Sequence, residues 1–173
     1  MTWIAPDVQR TEPGEPAPER AALQAWLDYH RATLLFKCQG LTGDQLVQRT
    51  AEPSTLSLLG LVRHMAEVER GWFSRRFAGE FDLPQLYSSE EHRDGDFDLA
   101  DAAGAEEAFE TFRAECAKAD AAAAGRSLDD TFVTSHGETL DLRWIYLHMI
   151  EEYARHNGHA DILRERLDGV TGD

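Results

Sequence analysis

The sequence predicts an all-α fold, a four-helix bundle with one long crossover connection. Four segments repeat their apolar residues at three- and four-residue steps, which is the period of a helix with one buried face. Glycine follows each segment, directly or after one residue, where a helix commonly ends. The one candidate for extended structure, Thr131–Thr134, is too brief to define a sheet. With 173 residues the chain has the size of one ordinary domain.

The first two helices are predicted on either side of a short connection. The first runs from about Glu19 to Gln39 and ends before Gly40. The second runs from about Thr55 to Ala78, with Ser54 as its N-cap and Gly79 after its last turn. Because the connection between them is short, these helices are expected to be neighbours in the bundle.

The last two helices follow a long acidic stretch. Residues 80–102 are irregular in pattern, and a connection of that length suggests a crossover or a lid. The third helix is predicted from about Ala105 to Ala124, before Gly125. The fourth is predicted from about Leu140 to Leu167, before Gly169.

Three parts of the chain are distinguished by composition. Residues 1–18 hold four of the six prolines and are predicted to form an extended N-terminal arm, which Trp3 and Ile4 would pin to the body. Residues 19–168 form the predicted bundle, and 169–173 a short C-terminal tail.

Composition also excludes several classes of partner. The formal net charge is −15, so phosphate backbones and anionic membranes should be repelled, and neither nucleic acid nor membrane is an expected partner. Cys38 and Cys116 form no C-x-x-C pair, which favours a reducing compartment. The N-terminal residues lack a signal-peptide core, and no apolar run reaches about 20 residues. A cytoplasmic location is therefore expected.

The predicted fourth helix carries a pattern typical of metal binding. Glu152 and His156 are four residues apart, which places them about 40° apart on one face and one turn from each other. His148 and His159 flank this pair on the same side. Buried carboxylates and imidazoles are costly without partners, and a divalent cation would gather them.

The predicted second helix supplies a third candidate ligand, His64. Gly60 and Gly71 share its face and would leave open space beside the imidazole. Two ligands from one helix and one from a facing helix would leave positions free for water or substrate, as catalytic sites do.

Simpler readings of this pattern stay open at this point. A Glu/His pair at i,i+4 is usually a solvated pair, and the fourth helix is apolar on its other side as well. If His148 or His159 completed a fourth ligand position, a closed structural site would be favoured. Trp26, Trp72 and Trp144 are predicted as core anchors, although Trp72 could line a cleft beside the metal.

Two segments resemble the DinB-like superfamily, four-helix-bundle metalloproteins. They are LSLLGLVRHMAEVERGWF (56–73) and LRWIYLHMIEEYARHNGHADILRE (142–165). The pattern is similar to an actinobacterial branch related to mycothiol-dependent maleylpyruvate isomerase. In that branch Glu replaces the first His of the pair on the last helix, as Glu152 does here. The resemblance implies His64, Glu152 and His156 as metal ligands.

The resemblance implies a metal-dependent S-transferase or isomerase that joins a low-molecular-weight thiol such as mycothiol to a small electrophile. The expected ion is Zn²⁺, with Ni²⁺, Fe²⁺ or Mn²⁺ as alternatives. The hypothesis gives His159 and Glu67 catalytic supporting roles, and Arg63 and Arg155 the recognition of thiol or substrate anions. A non-catalytic metal- or ligand-binding stress-response protein and a metal-dependent hydrolase stay open as alternatives, as does a homodimer.

Overall fold

The computed structural model describes residues 2–172 and confirms an all-α bundle of the DinB-like type. Met1 of the predicted arm and Asp173 of the predicted tail lie outside the described residues. The helices are α1 Glu19–Phe36, α2 Gly43–Leu46, α3 Leu58–Glu69, α4 Gly95–Asp98, α5 Ala105–Ala123 and α6 Leu142–Asp168. Two strands, β1 Thr131–Val133 and β2 Thr139–Asp141, form an antiparallel hairpin. In this part of the chain no helix is long and apolar enough to cross a membrane.

Contacts between the long helices fix their relative directions. The Tyr146 hydroxyl donates to the side chain of Gln24 at 2.6 Å, and Arg164 donates to the backbone carbonyl of Lys37 at 3.0 Å. The paired positions rise together, so α1 and α6 run parallel. Between α3 and α6 the order reverses, because His64 lies beside His156 and the later Trp72 beside the earlier Trp144.

The start of α3 differs from the predicted one. The N-cap is Ser57, whose hydroxyl accepts the N–H of Gly60 at 3.1 Å, and the helix begins at Leu58. The predicted cap, Ser54, instead accepts the N–H of Leu56 in the preceding turn. The prediction was wrong because both serines suit a cap, and the sequence alone does not decide which of them has a free helix N–H in reach.

The end of α3 also differs, since the chain continues as a π-helix over Arg70–Phe77. A π-helix closes i→i+5 hydrogen bonds and is frequently found at functional sites. The helical segment therefore ends where it was predicted to end, near Ala78, but its last eight residues are π-helical and not α-helical.

The core contains an ion pair that the apolar periodicity did not reveal. Arg31 of α1 donates to both carboxylate oxygens of Glu69 at 2.7 Å, and the hydroxyl of Tyr153 donates to the same carboxylate at 2.7 Å. All three side chains are buried. Burial raises the pKa of the Tyr153 hydroxyl, which therefore stays a donor. The network joins α1, α3 and α6.

The prediction that Trp26 and Trp144 are core anchors is wrong. Trp26 is 45% exposed and Trp144 is 37% exposed, while Trp72 is half-buried. The buried aromatic side chains of α5 are those of Phe109 and Phe112. A tryptophan at an apolar position of the period can thus lie at the edge of a helix face.

The segment before α1 attaches to the body through its first residues. Ala5 exchanges backbone hydrogen bonds with Gly40 and Leu41, at 2.9 and 2.8 Å. The Trp3 ring packs edge-on against Phe109 with 5.0 Å between the ring centroids. The start of the chain is therefore packed against both the end of α1 and helix α5.

Candidate metal centre

Three predicted ligands meet between α3 and α6. His64 comes from α3, and Glu152 and His156 lie one turn apart on α6. One ligand atom from each lies within 4.8 Å of the other two. The two imidazole rings are nearly perpendicular, with centroids 4.8 Å apart. Antiparallel packing produces this arrangement, because it brings the single position on α3 opposite the pair on α6.

The cluster is accessible from solvent. The side chains of His64, Glu152 and His156 are 26%, 18% and 12% exposed, so a small molecule can reach them. Burial and the neighbouring His64 lower the pKa of His156 to about 4, which keeps that imidazole neutral at ordinary pH. A neutral imidazole is the form that binds metal ions.

The carboxylate of Glu152 lies between two imidazoles. Its Oε2 atom is 3.4 Å from Nε2 of His156, and its Oε1 atom is 3.5 Å from Nε2 of His148. His148 therefore contacts one oxygen of the carboxylate while the other faces the cluster. His148, Glu151 and Glu152 form a second group with metal-ligand spacing, but the Arg155 guanidinium already pairs with Glu151.

Asp96 is a member of the site that the sequence analysis missed. Its Oδ2 atom lies 2.8 Å from Nδ1 of His64, and the residue is 5% exposed. A carboxylate that accepts from Nδ1–H leaves Nε2 of the ring free as a ligand and fixes the ring orientation. Asp96 lies in α4, within the long acidic connection, where nothing in its spacing distinguishes it from its acidic neighbours.

Arg63, predicted to bind a cofactor anion, holds the crossover connection to α3. Its guanidinium donates to the backbone carbonyls of Gly95 and Asp96 at 2.8 and 2.9 Å. It also lies 4.0 Å from the centroid of the Tyr87 ring. The guanidinium thus binds groups of the protein itself, and these contacts hold Asp96 beside the three candidate ligands.

Glu67, predicted as a catalytic helper, has a similar position one turn further along α3. Its Oε2 atom accepts the backbone N–H groups of Leu86 and Tyr87 at 2.7 and 2.9 Å. The carboxylate is directed at the crossover connection, and it fixes that segment as Arg63 does.

The space predicted beside His64 is filled rather than open. A side chain at Gly60 would meet the ring of Phe97, because a Cβ there would lie 2.6 Å from the ring's Cδ1 atom. The Phe97 ring in turn lies 5.3 Å from the His64 ring, centroid to centroid. Glycine at position 60 therefore admits the crossover connection instead of leaving a cavity.

The remaining predicted residues divide into one near the ligands and one at the surface. Nδ1 of His159 lies 3.3 Å from Nδ1 of His156, which leaves Nε2 of His156 directed at the cluster. Arg155 is exposed and pairs with Glu151. Within residues 2–172, His30, His92 and His136 belong to neither group with metal-ligand spacing.

The donor set suits a divalent cation. Two imidazoles and one carboxylate converge from two rigid helices, and both imidazoles have their Nδ1 atoms engaged by neighbours. The carboxylate supplies one negative charge that a divalent ion would offset, and three protein ligands leave further coordination positions free. The residues present therefore fit a metal of the Zn²⁺ class.

Comparison with known proteins identifies the family. A family model described as Mycothiol-S-transferase matches residues 22–169, which cover most of the chain and include all three candidate ligands. No curated protein matches the sequence. The match supports the transferase side of the sequence-based expectation and leaves the isomerase branch a prediction. The chain belongs to the mycothiol S-transferase family.

Proposed function

We propose that this protein is a metal-dependent S-transferase that joins mycothiol to a small electrophile. The observation that carries the proposal is the convergence of His64, Glu152 and His156, with ligand atoms within 4.8 Å, at a place that solvent can reach. The family match supports mycothiol as the thiol. The electrophile is the second substrate.

His64, Glu152 and His156 would hold the cation, and Zn²⁺ suits this set best, with Ni²⁺, Fe²⁺ and Mn²⁺ as alternatives. A divalent cation at these residues would supply Lewis acidity, which favours the thiolate form of a thiol at neutral pH. Asp96 holds the His64 ring in one orientation, and His159 does the same for His156. These contacts limit the motion of the ligands before a substrate arrives.

The overall reaction forms one bond and breaks one. The mycothiol sulfur bonds to the electrophilic carbon, the leaving group departs with its bonding electron pair, and the thiol proton passes to solvent. The protein contributes by directing both imidazoles at one point, so that thiol and electrophile meet in a fixed geometry.

The first test concerns the metal. Protein purified without chelators is expected to carry about one divalent ion per chain, measured by elemental analysis. His64→Ala should lose most of this metal, whereas the control His136→Ala, which changes a histidine outside both candidate ligand groups, should keep it. Equal metal content in the wild type and His64→Ala would refute the assigned ligand set.

The second test concerns the reaction. Metal-loaded protein is expected to accelerate conjugation of mycothiol to a haloketone over the uncatalysed rate, metal-stripped protein to lose the acceleration, and re-added Zn²⁺ to restore it. Acceleration that persists after the metal has been removed would contradict the role of the site. Hydrolysis of an ester panel without mycothiol would instead favour a metal-dependent hydrolase.

A further inference from the structure

A cluster of three aromatic rings adjoins the metal centre on one side. Trp72 comes from the π-helical segment, and Trp144 and His148 come from α6. The three ring centroids lie 4.7 to 4.9 Å apart, and the rings of Trp144 and His148 are stacked with an interplanar angle of 19°. We call these three residues the aromatic cluster.

The aromatic cluster is continuous with the ligands. His148 contacts the ligand carboxylate directly, with its Nε2 atom 3.5 Å from Oε1 of Glu152. Trp72 lies two turns after His64 on the same continuous helix, and Trp144 lies two turns before Glu152 on α6. A molecule held at the ligands and extending along α6 towards its N-terminus therefore meets the ring of His148 and then that of Trp144.

The aromatic cluster is only partly covered by the protein. Trp144 is 37% exposed, and Leu147 beside it on α6 is 54% exposed. Single exposed apolar side chains are common, whereas adjoining ones beside a cluster of candidate ligands are typical of a ligand-binding surface. The Arg76 guanidinium lies 4.4 Å from the Trp72 ring centroid and covers that ring by a cation–π contact. The ring left available is Trp144, of which the His148 ring covers one face and leaves the other free.

We propose that the aromatic cluster is the binding subsite for the electrophilic substrate, and that it selects electrophiles that carry a flat aromatic group. We expect a small molecule as the occupant, because the rings adjoin the proposed metal site at which the electrophile would react. A flat group stacks on an indole ring with more stabilisation than an aliphatic chain gives, by about threefold to tenfold in affinity. This inference rests on the proposed transferase function and adds the class of its second substrate.

Two electrophiles that differ only in this group provide the test. Phenacyl chloride and chloroacetone present the same chloromethyl ketone, with a phenyl ring in one and a methyl group in the other. In each reaction the thiol sulfur forms a bond to the chloromethyl carbon, chloride leaves with the bonding pair, and the proton goes to buffer. The measured quantity is kcat/KM with mycothiol, divided by the uncatalysed rate constant of the same electrophile.

The wild type is expected to favour phenacyl chloride by about fivefold. Trp144→Leu should abolish this preference, so that the values for phenacyl chloride and chloroacetone become equal. The control Trp26→Leu replaces a tryptophan that is 45% exposed, against 37% for Trp144, on α1, a helix that provides none of the ligands. This control should keep the preference. If Trp144 acted only through His148 and Glu152, both electrophiles would lose rate equally, and that result would overturn the proposal.

A binding measurement separates this inference from the proposed function. Acetophenone and acetone are the unreactive counterparts of the two electrophiles, and their affinity for metal-loaded protein can be measured by ligand-observed NMR. Acetophenone binding that is lost in Trp144→Leu supports the subsite even if no electrophile is turned over, in which case the transferase proposal fails alone. Acetophenone binding that is equal in wild type and Trp144→Leu overturns the subsite.

Discussion

Asp96 offers the sharpest test of how the metal centre is organised. Its carboxylate accepts from Nδ1 of His64 at 2.8 Å and is almost fully buried. Changing Asp96→Ala removes the acceptor, and partners of this kind typically contribute 10- to 100-fold to metal affinity. We expect a loss in that range, which corresponds to about 1.4 to 2.7 kcal/mol. Asp96→Asn keeps a neutral acceptor of the same size, so its loss should be smaller.

The assay is competition for Zn²⁺ against a chromophoric chelator, with thermal unfolding of the metal-free protein measured in parallel. Asp98→Asn is the matched control, because Asp98 lies in the same short helix but is exposed and pairs with Arg49 at 3.2 Å. Its Zn²⁺ affinity should equal that of the wild type.

The double variant His64→Ala/Asp96→Ala decides between a local and a general effect. If Asp96 acts through His64, adding Asp96→Ala to His64→Ala costs no further metal affinity. An additional loss as large as in the wild-type background would refute the reasoning, as would a wild-type affinity in Asp96→Ala itself.

Three further predictions concern stability. Glu69→Ala leaves the buried Arg31 guanidinium without its carboxylate partner and should lower the free energy of unfolding by about 3 to 5 kcal/mol in urea titrations; an effect below 1 kcal/mol would contradict the assigned network. Gly60→Ala pushes a Cβ against the Phe97 ring and should cost about 1 to 3 kcal/mol, whereas Gly14→Ala, where a Cβ meets nothing within 4 Å, should cost far less. Chelation should lower the melting temperature, since free Zn²⁺ at 100 times Kd stabilises the folded state by about 2.7 kcal/mol; an unchanged melting temperature would argue against a folded-state metal site.

The closeness of the three proposed ligands could be predicted, because a regular helix fixes where residues at a given spacing lie. Residues four positions apart on a helix share a face, so Glu152 and His156 do so on α6. Only the pairing of α6 with α3 had to be inferred to add His64. A regular helix thus converts sequence spacing into three-dimensional proximity, which is why these three positions followed from a pattern and a resemblance.

The rest of the site depended on contacts that no local period encodes. Asp96 is 32 residues from its partner, and its place depends on the path of an irregular connection. The Arg31–Glu69 pair is 38 residues apart, and on each helix the charged residue occupies a position of the buried face, where the period predicts an apolar side chain. Trp144 occupies an apolar position of α6 but lies at the edge of the buried face. Each of these features depends on which helices meet and at what rotation.

Helix α3 both supplies a ligand and holds the segment that orients it. In the two turns around His64, Gly60 admits Phe97, Arg63 binds the backbone of α4, and Glu67 binds the connection further back. Helix α3, which carries His64, therefore also fixes the position of Asp96. Because the same helix holds both partners, we expect that the rest of the long connection can vary in length or path without changing the His64–Asp96 distance. An insertion between residues 79 and 84, before the first of these anchors, should accordingly leave Zn²⁺ affinity intact, whereas Arg63→Ala should weaken it.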